Sequence, residues 1–500
     1  MAKKNPAATT APTLSPPPGS VTVRCYRMGF GDCFLFAFRL KGGQVKYVMI
    51  DCGVVVKADA KPALFKKVIA DIAKATGGKL DALAVTHEHY DHVCGFDLAI
   101  DDFKRSIRVG EVWAAWTENP GDDFAKTLDN EKKAGFAALG AALGRMTEAG
   151  LTNRRDTAIV RDKLGFLGFD AGADGKTAAD LRLESKKLSA SVDKAMDAAL
   201  RLVRTPTFFE PGVVEEEPAG IPGLRMYVLG PPKNYNFLYK ENPDEGEAYA
   251  ASPALGLAAI AAAGSWDDDA FRPFAPRWCA RRARDAKERN AAIRDLYEGV
   301  DVEEWRCIDN DWLTSTGRLA LQLDVGINNT SLALAFEIVE TGRVLFFPGD
   351  AQTGSWRSWQ TLKFRLPSGA ASKLDTDNDG IVTIADIFKR VALYKVGHHG
   401  SHNGTMKAQG LEMMDSPDLA AFVPVSRAHA VASGWKKIPE KDLMTELRRR
   451  CRGRVLTSEP DEKEPSKRPA PDGVTNGVWS KFAGAVTREK NGLYYDVTIK

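Results

Sequence analysis

The stretch LAVTHEHYDHVCGF, Leu83–Phe96, places His87, His89, Asp91 and His92 within six residues, in a 500-residue chain with only seven histidines. It starts as an apolar run and turns polar at Thr86, the pattern of a strand that ends where its polar residues begin. On a turn leaving a strand, His87 and His89 can point the same way while Asp91 and His92 face an adjacent point. Neutral imidazole and carboxylate suit zinc, manganese or iron, with zinc ligands at ~2.0–2.2 Å. The competing reading is a polar loop that is rich in histidine by chance, and the density of the cluster argues against it.

A second cluster, LYKVGHHGSHNGT (393–405), holds His398, His399 and His402, so two clusters take six of the seven histidines. Between them RVLFFPGD ends on Asp350. Gly-Asp alone is an ordinary turn. Beside two histidine clusters, Asp350 becomes the natural carboxylate to bridge two metal ions.

Around these motifs the chain reads as alternating strands and helices. VTVRCYRM, DCFLFAFRL and VKYVMIDCG are β-rich runs with glycine-containing breaks between them, and KPALFKKVIADIAKATGG has helical spacing with a glycine stop. EVWAAWTENP, GLRMYVLGPP, LALQLD, SLALAFEIVE, RVLFFPGD and LAAFVPVS read as further strands, and NGLYYDVTIK as a final edge strand. Residues 122–200 and 238–316 read as helical insertions. Residues 1–20 are expected to be a disordered tail, 21–457 the main domain, 458–474 a charged, proline-rich linker and 475–500 a C-terminal strand segment.

Composition narrows the class. Hydrophobic residues make up 44% and charged residues 27%, and 69 basic residues stand against 66 acidic, so no global basic field advertises nucleic acid. The seven cysteines are scattered without a CxxC pair, which points to reduced thiols and a cytoplasmic protein. The N-terminus lacks the apolar segment of a secretory signal, and no stretch approaches the ~20 apolar residues of a membrane span.

With these motifs in hand, the chain resembles the metallo-β-lactamase-fold hydrolases, whose defining motif is H-x-H-x-D-H. It is most similar to the hydrolase domain of ComEC-type DNA-uptake proteins and their soluble relatives. The resemblance rests on GFGDCFLF (29–36), VMIDCG (48–53), THEHYDH (86–92), NNTSLAL (328–334), FPGDAQ (347–352) and KVGHHGS (395–401), in that order. It implies an α+β, αββα sandwich carrying two divalent ions, zinc first and manganese as the alternative. The implied ligands are His87, His89, Asp91, His92, Asp350 and one or both of His398 and His399. Asp91 takes a double role as ligand and orienter of a metal-activated water, and whichever of His398 and His399 binds no metal donates a proton or touches substrate. Asp51 supports the metal loop, and Asn329, Ser401, His402 and Asn403 are candidates for substrate contact or support. One departure stands out. No histidine lies between Val93 and Gly397, so the metal at His87 and His89 lacks its usual third imidazole. Asp350, a water or His429 could complete its sphere.

Two further features stand apart. DTDNDGIVTIAD (375–386) matches a calcium-loop pattern through Asp375, Asp377, Asp379, Gly380 and Asp386, with a plain Asp/Gly turn as the alternative. The runs RWCARRARDAKER (277–289) and ELRRRCRGR (446–454) are candidates for a polyanion contact or for solvated helix faces. The resemblance to ComEC-type domains implies, as the leading expectation, a phosphodiesterase or nuclease acting on nucleic acid. Hydrolysis of a small ester, lactone or thioester is the second reading. A non-catalytic metal-binding protein that meets its partners through the helical insertions is the third.

Overall fold

The computed structural model describes residues 11–55, 62–148, 155–166, 193–240, 311–432 and 435–500. Seventeen strands are described, and β1 (Ser20–Tyr26), β2 (Phe34–Arg39), β3 (Lys46–Ile50), β4 (Lys79–Ala84), β5 (Arg108–Ala115) and β6 (Thr207–Phe209) come first. They are followed by β7 (Val214–Glu216), β8 (Leu224–Val228), β9 (Leu334–Ile338), β10 (Arg343–Phe347), β11 (Lys363–Arg365) and β12 (Ile381–Thr383). The last are β13 (Val391–Lys395), β14 (Ala420–Val423), β15 (Val455–Thr457), β16 (Val486–Arg488) and β17 (Tyr494–Ile499). One sheet runs β16-β17-β1-β2-β3-β4-β5-β6 and the other β15-β14-β13-β10-β9-β8-β7, while β11 and β12 pair by themselves.

The period-two alternation of strands builds the layers. In β2, Phe34, Phe36 and Phe38 enter the core between the sheets, where they meet Phe336, Phe347 and Phe422. Leu35 and Ala37 point the other way, into a core with Phe65, Val68, Ile69 and Ile72 of the Pro62–Thr76 helix. In β10, Leu345 and Phe347 face the sheet interface, whereas Val344 and Phe346 pack with Trp356, Trp359 and Phe388 beneath the opposite helical layer. The result is a helix–sheet–sheet–helix sandwich, the expected α+β architecture. Truncating a fully buried ring such as Phe36 to Ala would cost roughly 3–5 kcal/mol.

The chain direction of four strands positions the site. β3 pairs in parallel with β4, and β10 pairs in parallel with β13. The carboxyl ends of β3, β4, β10 and β13 therefore deliver Asp51, the Thr86–His92 turn, Asp350 and the His398–His399 turn. Polar residues collect at strand ends because only there can the backbone turn away from the ladder while its side chains stay converged.

Several expectations change shape. LALQLD (319–324) is helical, lying inside the Asp311–Asn329 helix. Leu319, Ala320, Leu323 and Ile327 share one helical face and pack on Leu139, Leu143, Val160 and Leu164. A six-residue alternation cannot separate the two periods, and Leu, Ala and Gln are strong helix formers. NGLYYDVTIK does not end at an edge, because β17 lies between β16 and β1. Of the expected tail, residues 1–10 fall outside the described residues, while Leu14 is buried and its backbone N–H donates to Ala75 O (3.0 Å). The expected linker packs against the fold, with Thr457 Oγ1 donating to Glu462 (2.6 Å) and Arg468 lying over the Trp479 ring. The first insertion is described as the helices Asp123–Glu148 and Arg155–Phe166, with the Asp311–Asn329 helix packed on both. Residues 241–310, with the 277–289 basic run, lie outside the described residues.

Candidate metal centre

Two glycines permit the site's close packing. A Cβ on Gly53 would stand 2.2 Å from Asp91 C and 2.3 Å from His92 N, so only glycine lets the β3 exit touch the H-x-H-x-D-H turn. Gly31 has φ 149° and an added Cβ would meet Gly53 O at 2.4 Å. Asp51 (φ 55°), His398 (φ 45°) and His399 (φ 50°) adopt left-handed backbone, uncommon outside glycine and often found at functional sites.

The histidines are oriented from behind. Thr86 Oγ1 donates to Asp51 Oδ2 at 2.6 Å, which uses its only proton. The 3.1 Å contact between Thr86 Oγ1 and His87 Nδ1 therefore has the imidazole N–H as donor, leaving the lone pair on His87 Nε2. His92 Nδ1–H donates to Asp51 Oδ2 (2.8 Å), and His399 Nδ1–H donates to Pro424 O (3.2 Å). Each ring thus directs Nε2 toward the centre. His87 Nε2 lies 3.2 Å from His89 Nδ1, close to the separation of two nitrogens sharing one ion at ~2.0–2.1 Å.

On the other side, ligand atoms of Asp91, His92, Asp350 and His399 all lie within 4.8 Å of one another. His399 Nε2 is 2.9 Å from Asp91 Oδ2 and 3.1 Å from Asp350 Oδ2, and His92 Nε2 is 3.3 Å from Asp350 Oδ2. Both Asp91 oxygens, His92 Nε2 and His399 Nε2 are buried and form no well-aligned hydrogen bond among the described residues. Imidazole nitrogens and carboxylate oxygens from four residues crowded this closely are aimed at a common point. The donor set fits a divalent ion.

The electrostatics point the same way. Asp32, Asp51, Asp91 and Asp350 are all buried, and Lys395 is the buried ammonium set among them, with Nζ donating to Asp350 Oδ1 (2.8 Å) and Gly349 O (2.7 Å) and lying 2.7 Å from Asp32 Oδ2. Burial works against charge on His92, but Asp350, Asp32 and Asp51 raise its pKa well above the ordinary value. Burial likewise opposes the charge on His399, yet Asp350 and Asp91 raise it to about 9. Without an ion, protons neutralise the surplus carboxylates. Burial lowers His87 well below its ordinary value, lowers His89, and takes His398 to about 4, so these rings are neutral donors.

His398 and His399 part company. His399 joins the carboxylate cluster, whereas His398 Nδ1 lies 3.2 Å from Gln352 Nε2 and 3.3 Å from Asn403 Oδ1. Ser401 Oγ donates to Asn403 Oδ1 (2.9 Å), so Ser401 and Asn403 brace the His398 side. Asn329 holds backbone: its Oδ1 accepts from Gln352 N (3.0 Å) and Ser355 Oγ (2.9 Å), just beyond Asp350. His402 is exposed. His429 lies against Gly29 and pairs with Ser426 Oγ at 3.0 Å, outside the clustered ligand atoms.

The acidic loop closes on itself. Asp375 accepts from the backbone N–H of Asp379 (3.2 Å) and Gly380 (3.0 Å), and Asp386 forms a capping box with Thr383. Among the described residues, no three carboxylates of Asp375, Asp377, Asp379 and Asp386 bring ligand atoms within 4.8 Å of one another. In the 446–454 run, Glu446 pairs with Arg449 and Arg450, and Arg454 donates to Leu419 O and Pro417 O.

Residues 28–172 match the family model of the metallo-beta-lactamase superfamily. That span contains Asp32, Asp51 and the whole H-x-H-x-D-H turn, and the metallo-beta-lactamase sandwich is the architecture the two facing sheets form. Asp350, Lys395 and His399 lie beyond the matched span, yet the fold returns them to the same centre. No curated protein and no solved structure matches the chain. No helix among the described residues is long and apolar enough to cross a membrane.

Asp32 and Lys395 join the cluster from within the motifs GFGD (29–32) and KVGHHGS (395–401), where nothing local marks them as charge partners. Asp324, whose Oδ1 lies 3.9 Å from His89 Nε2, is hidden in a segment that alternates like a strand but is helical.

Proposed function

We propose that this protein is a metal-dependent hydrolase that cleaves a phosphodiester, with nucleic acid as the substrate class. The observation that carries the reading is the convergence of the buried Asp91, His92, Asp350 and His399, beside the close approach of His87 Nε2 and His89 Nδ1. Divalent ions held at these two positions, zinc first and manganese second, would supply Lewis acidity and bring the pKa of a water near neutrality.

The chain's own groups do the rest. Asp350 faces both His92 and His399 and so links the H-x-H-x-D-H turn to the His398–His399 turn. Burial would raise its pKa, but His399, Lys395 and His92 hold it well below the ordinary carboxylate range, so it stays ionised. Asp91, ionised through His399 and His92 despite its burial, orients the attacking water. His398, neutral and braced by Asn403, would contact the leaving group through a hydrogen bond. The phosphodiester preference rests on the resemblance of the motif order to that of ComEC-type hydrolase domains.

Metal analysis with a substrate panel tests the reading. The purified protein should carry about two zinc or manganese ions and cleave bis-p-nitrophenyl phosphate, single- or double-stranded DNA, or RNA, with Asp91→Ala abolishing turnover. Cleavage of lactones or simple esters alone would overturn the phosphodiester assignment and leave the hydrolase. Metal binding without cleavage of any of these would favour a non-catalytic binding protein that meets partners through its insertions.

A further inference from the structure

The four inward-facing imidazoles are not supported alike. His87, His92 and His399 each present Nε2 to the centre and anchor Nδ1 on a residue of the sandwich, namely Thr86, Asp51 and Pro424. His89 is turned round. Its Nδ1 faces His87 Nε2, which puts its Nε2 on the outer side of the ring, toward the Asp311–Asn329 helix. There Asp324 Oδ1 stands 3.9 Å from His89 Nε2, with both side chains almost fully buried. Asp324 Oδ2 is occupied, accepting from Lys163 Nζ at 2.9 Å on the Arg155–Phe166 helix. Oδ1 is buried and has no hydrogen-bond partner among the described residues.

A buried carboxylate oxygen is seldom left without a donor, because its lost hydration then goes uncompensated. A donor that faces Asp324 Oδ1 is the Nε2–H that His89 would carry with its Nδ1 on a metal. At 3.9 Å the neutral imidazole nitrogen and the carboxylate oxygen stand about 1 Å beyond a normal hydrogen bond. We propose that Asp324 is the positioning residue of the metal position at His87 and His89: when the ion seats on His89 Nδ1, Nε2–H closes onto Asp324 Oδ1, fixing the tautomer and the ring plane. Lys163 holds the carboxylate from the far side, so the helices of the insertions reach the metal centre through a relay of Lys163, Asp324 and His89. This position lacks a third imidazole, and the relay offsets that shortage by making His89 a more basic, better oriented ligand. The inference rests on the metal-centre reading above.

The test is a metal titration of the full-length protein, independent of hydrolysis. Zinc affinity is measured against a competing chelator, and cobalt(II) absorption reports each position's ligand geometry. Asp324→Asn, close to isosteric, is expected to weaken one of two ions by about 10–100-fold and to shift one cobalt(II) band set, leaving the other ion unchanged. Asp324→Glu, which keeps the carboxylate, should retain most of the affinity. The thermal midpoint of the ion-free variants separates this from misfolding. Asn and wild-type proteins binding two ions with equal affinity would overturn the relay, as would equal losses for Asn and Glu. A wild-type protein that binds no ion would overturn both the relay and the metal-centre reading.

Discussion

Asp51 Oδ2 stands 2.8 Å from His92 Nδ1 and takes a second hydrogen bond from Thr86 Oγ1, while Asp51 Oδ1 accepts from the Thr86 backbone N–H at 2.8 Å. One carboxylate from the end of β3 thus fixes both the start of the H-x-H-x-D-H turn and the ring at its end. Asp51→Ala is expected to lower affinity for the ion at Asp91, His92 and His399 by about 10–100-fold while leaving the position at His87 and His89 less affected. Isothermal titration with zinc reads this directly.

Lys395 is a buried clamp between Asp32 and Asp350. Replacing it with Met leaves two buried carboxylates without their shared ammonium, with only His92 and His399 to offset them, and breaking a buried pair costs roughly 3–5 kcal/mol. Lys395→Met should lower the urea midpoint of the ion-free protein, and excess zinc should recover part of the loss by neutralising the same carboxylates.

The ion-free and ion-loaded proteins should respond to pH in opposite senses. His399 is raised from an ordinary 6.5 to about 9, so its contribution to ion-free stability is fully present below 6.5 and lost as pH rises through about 9. Metal binding must expel that proton and the one on His92, so affinity should rise with pH up to about 9, by about tenfold per unit for each proton displaced. Denaturation curves with and without zinc from pH 6 to pH 9.5 check both slopes, and a flat zinc affinity would refute the proton-for-metal exchange.

Gly53→Ala should be severe for its size. The added methyl would stand 2.2 Å from the Asp91 carbonyl carbon, and backbone on both sides has no flexible side-chain end to move aside. The expected outcome is several kcal/mol of lost stability together with reduced metal content, measured by chemical denaturation and metal analysis.

Asp386 is expected to act as a helix cap. Asp386→Ala should cost about 0.5–2 kcal/mol through the lost capping box, by the same amount with or without millimolar calcium. A calcium-dependent rise in thermal midpoint in the wild type, abolished by this change, would favour the calcium-loop reading.

The local chemistry was written in the sequence. Ligand-type residues crowd into short turns after apolar runs, and the alternation in FLFAFR dictates which rings enter the sheet interface, because side-chain direction in a strand depends only on position parity. His87, His89, Asp91, His92, Asp350 and His399 could therefore be named before any contact was known. Parity does not say which strands lie side by side. Only the tertiary structure brought Lys395 between Asp32 and Asp350, separated His399 from His398, and turned the acidic loop in on its own backbone. The same holds for Asp324, whose six-residue neighbourhood alternates like a strand. Its helical face is decided by packing on Leu139, Leu143, Val160 and Leu164, contacts that link residues well over a hundred positions apart and that no local pattern records.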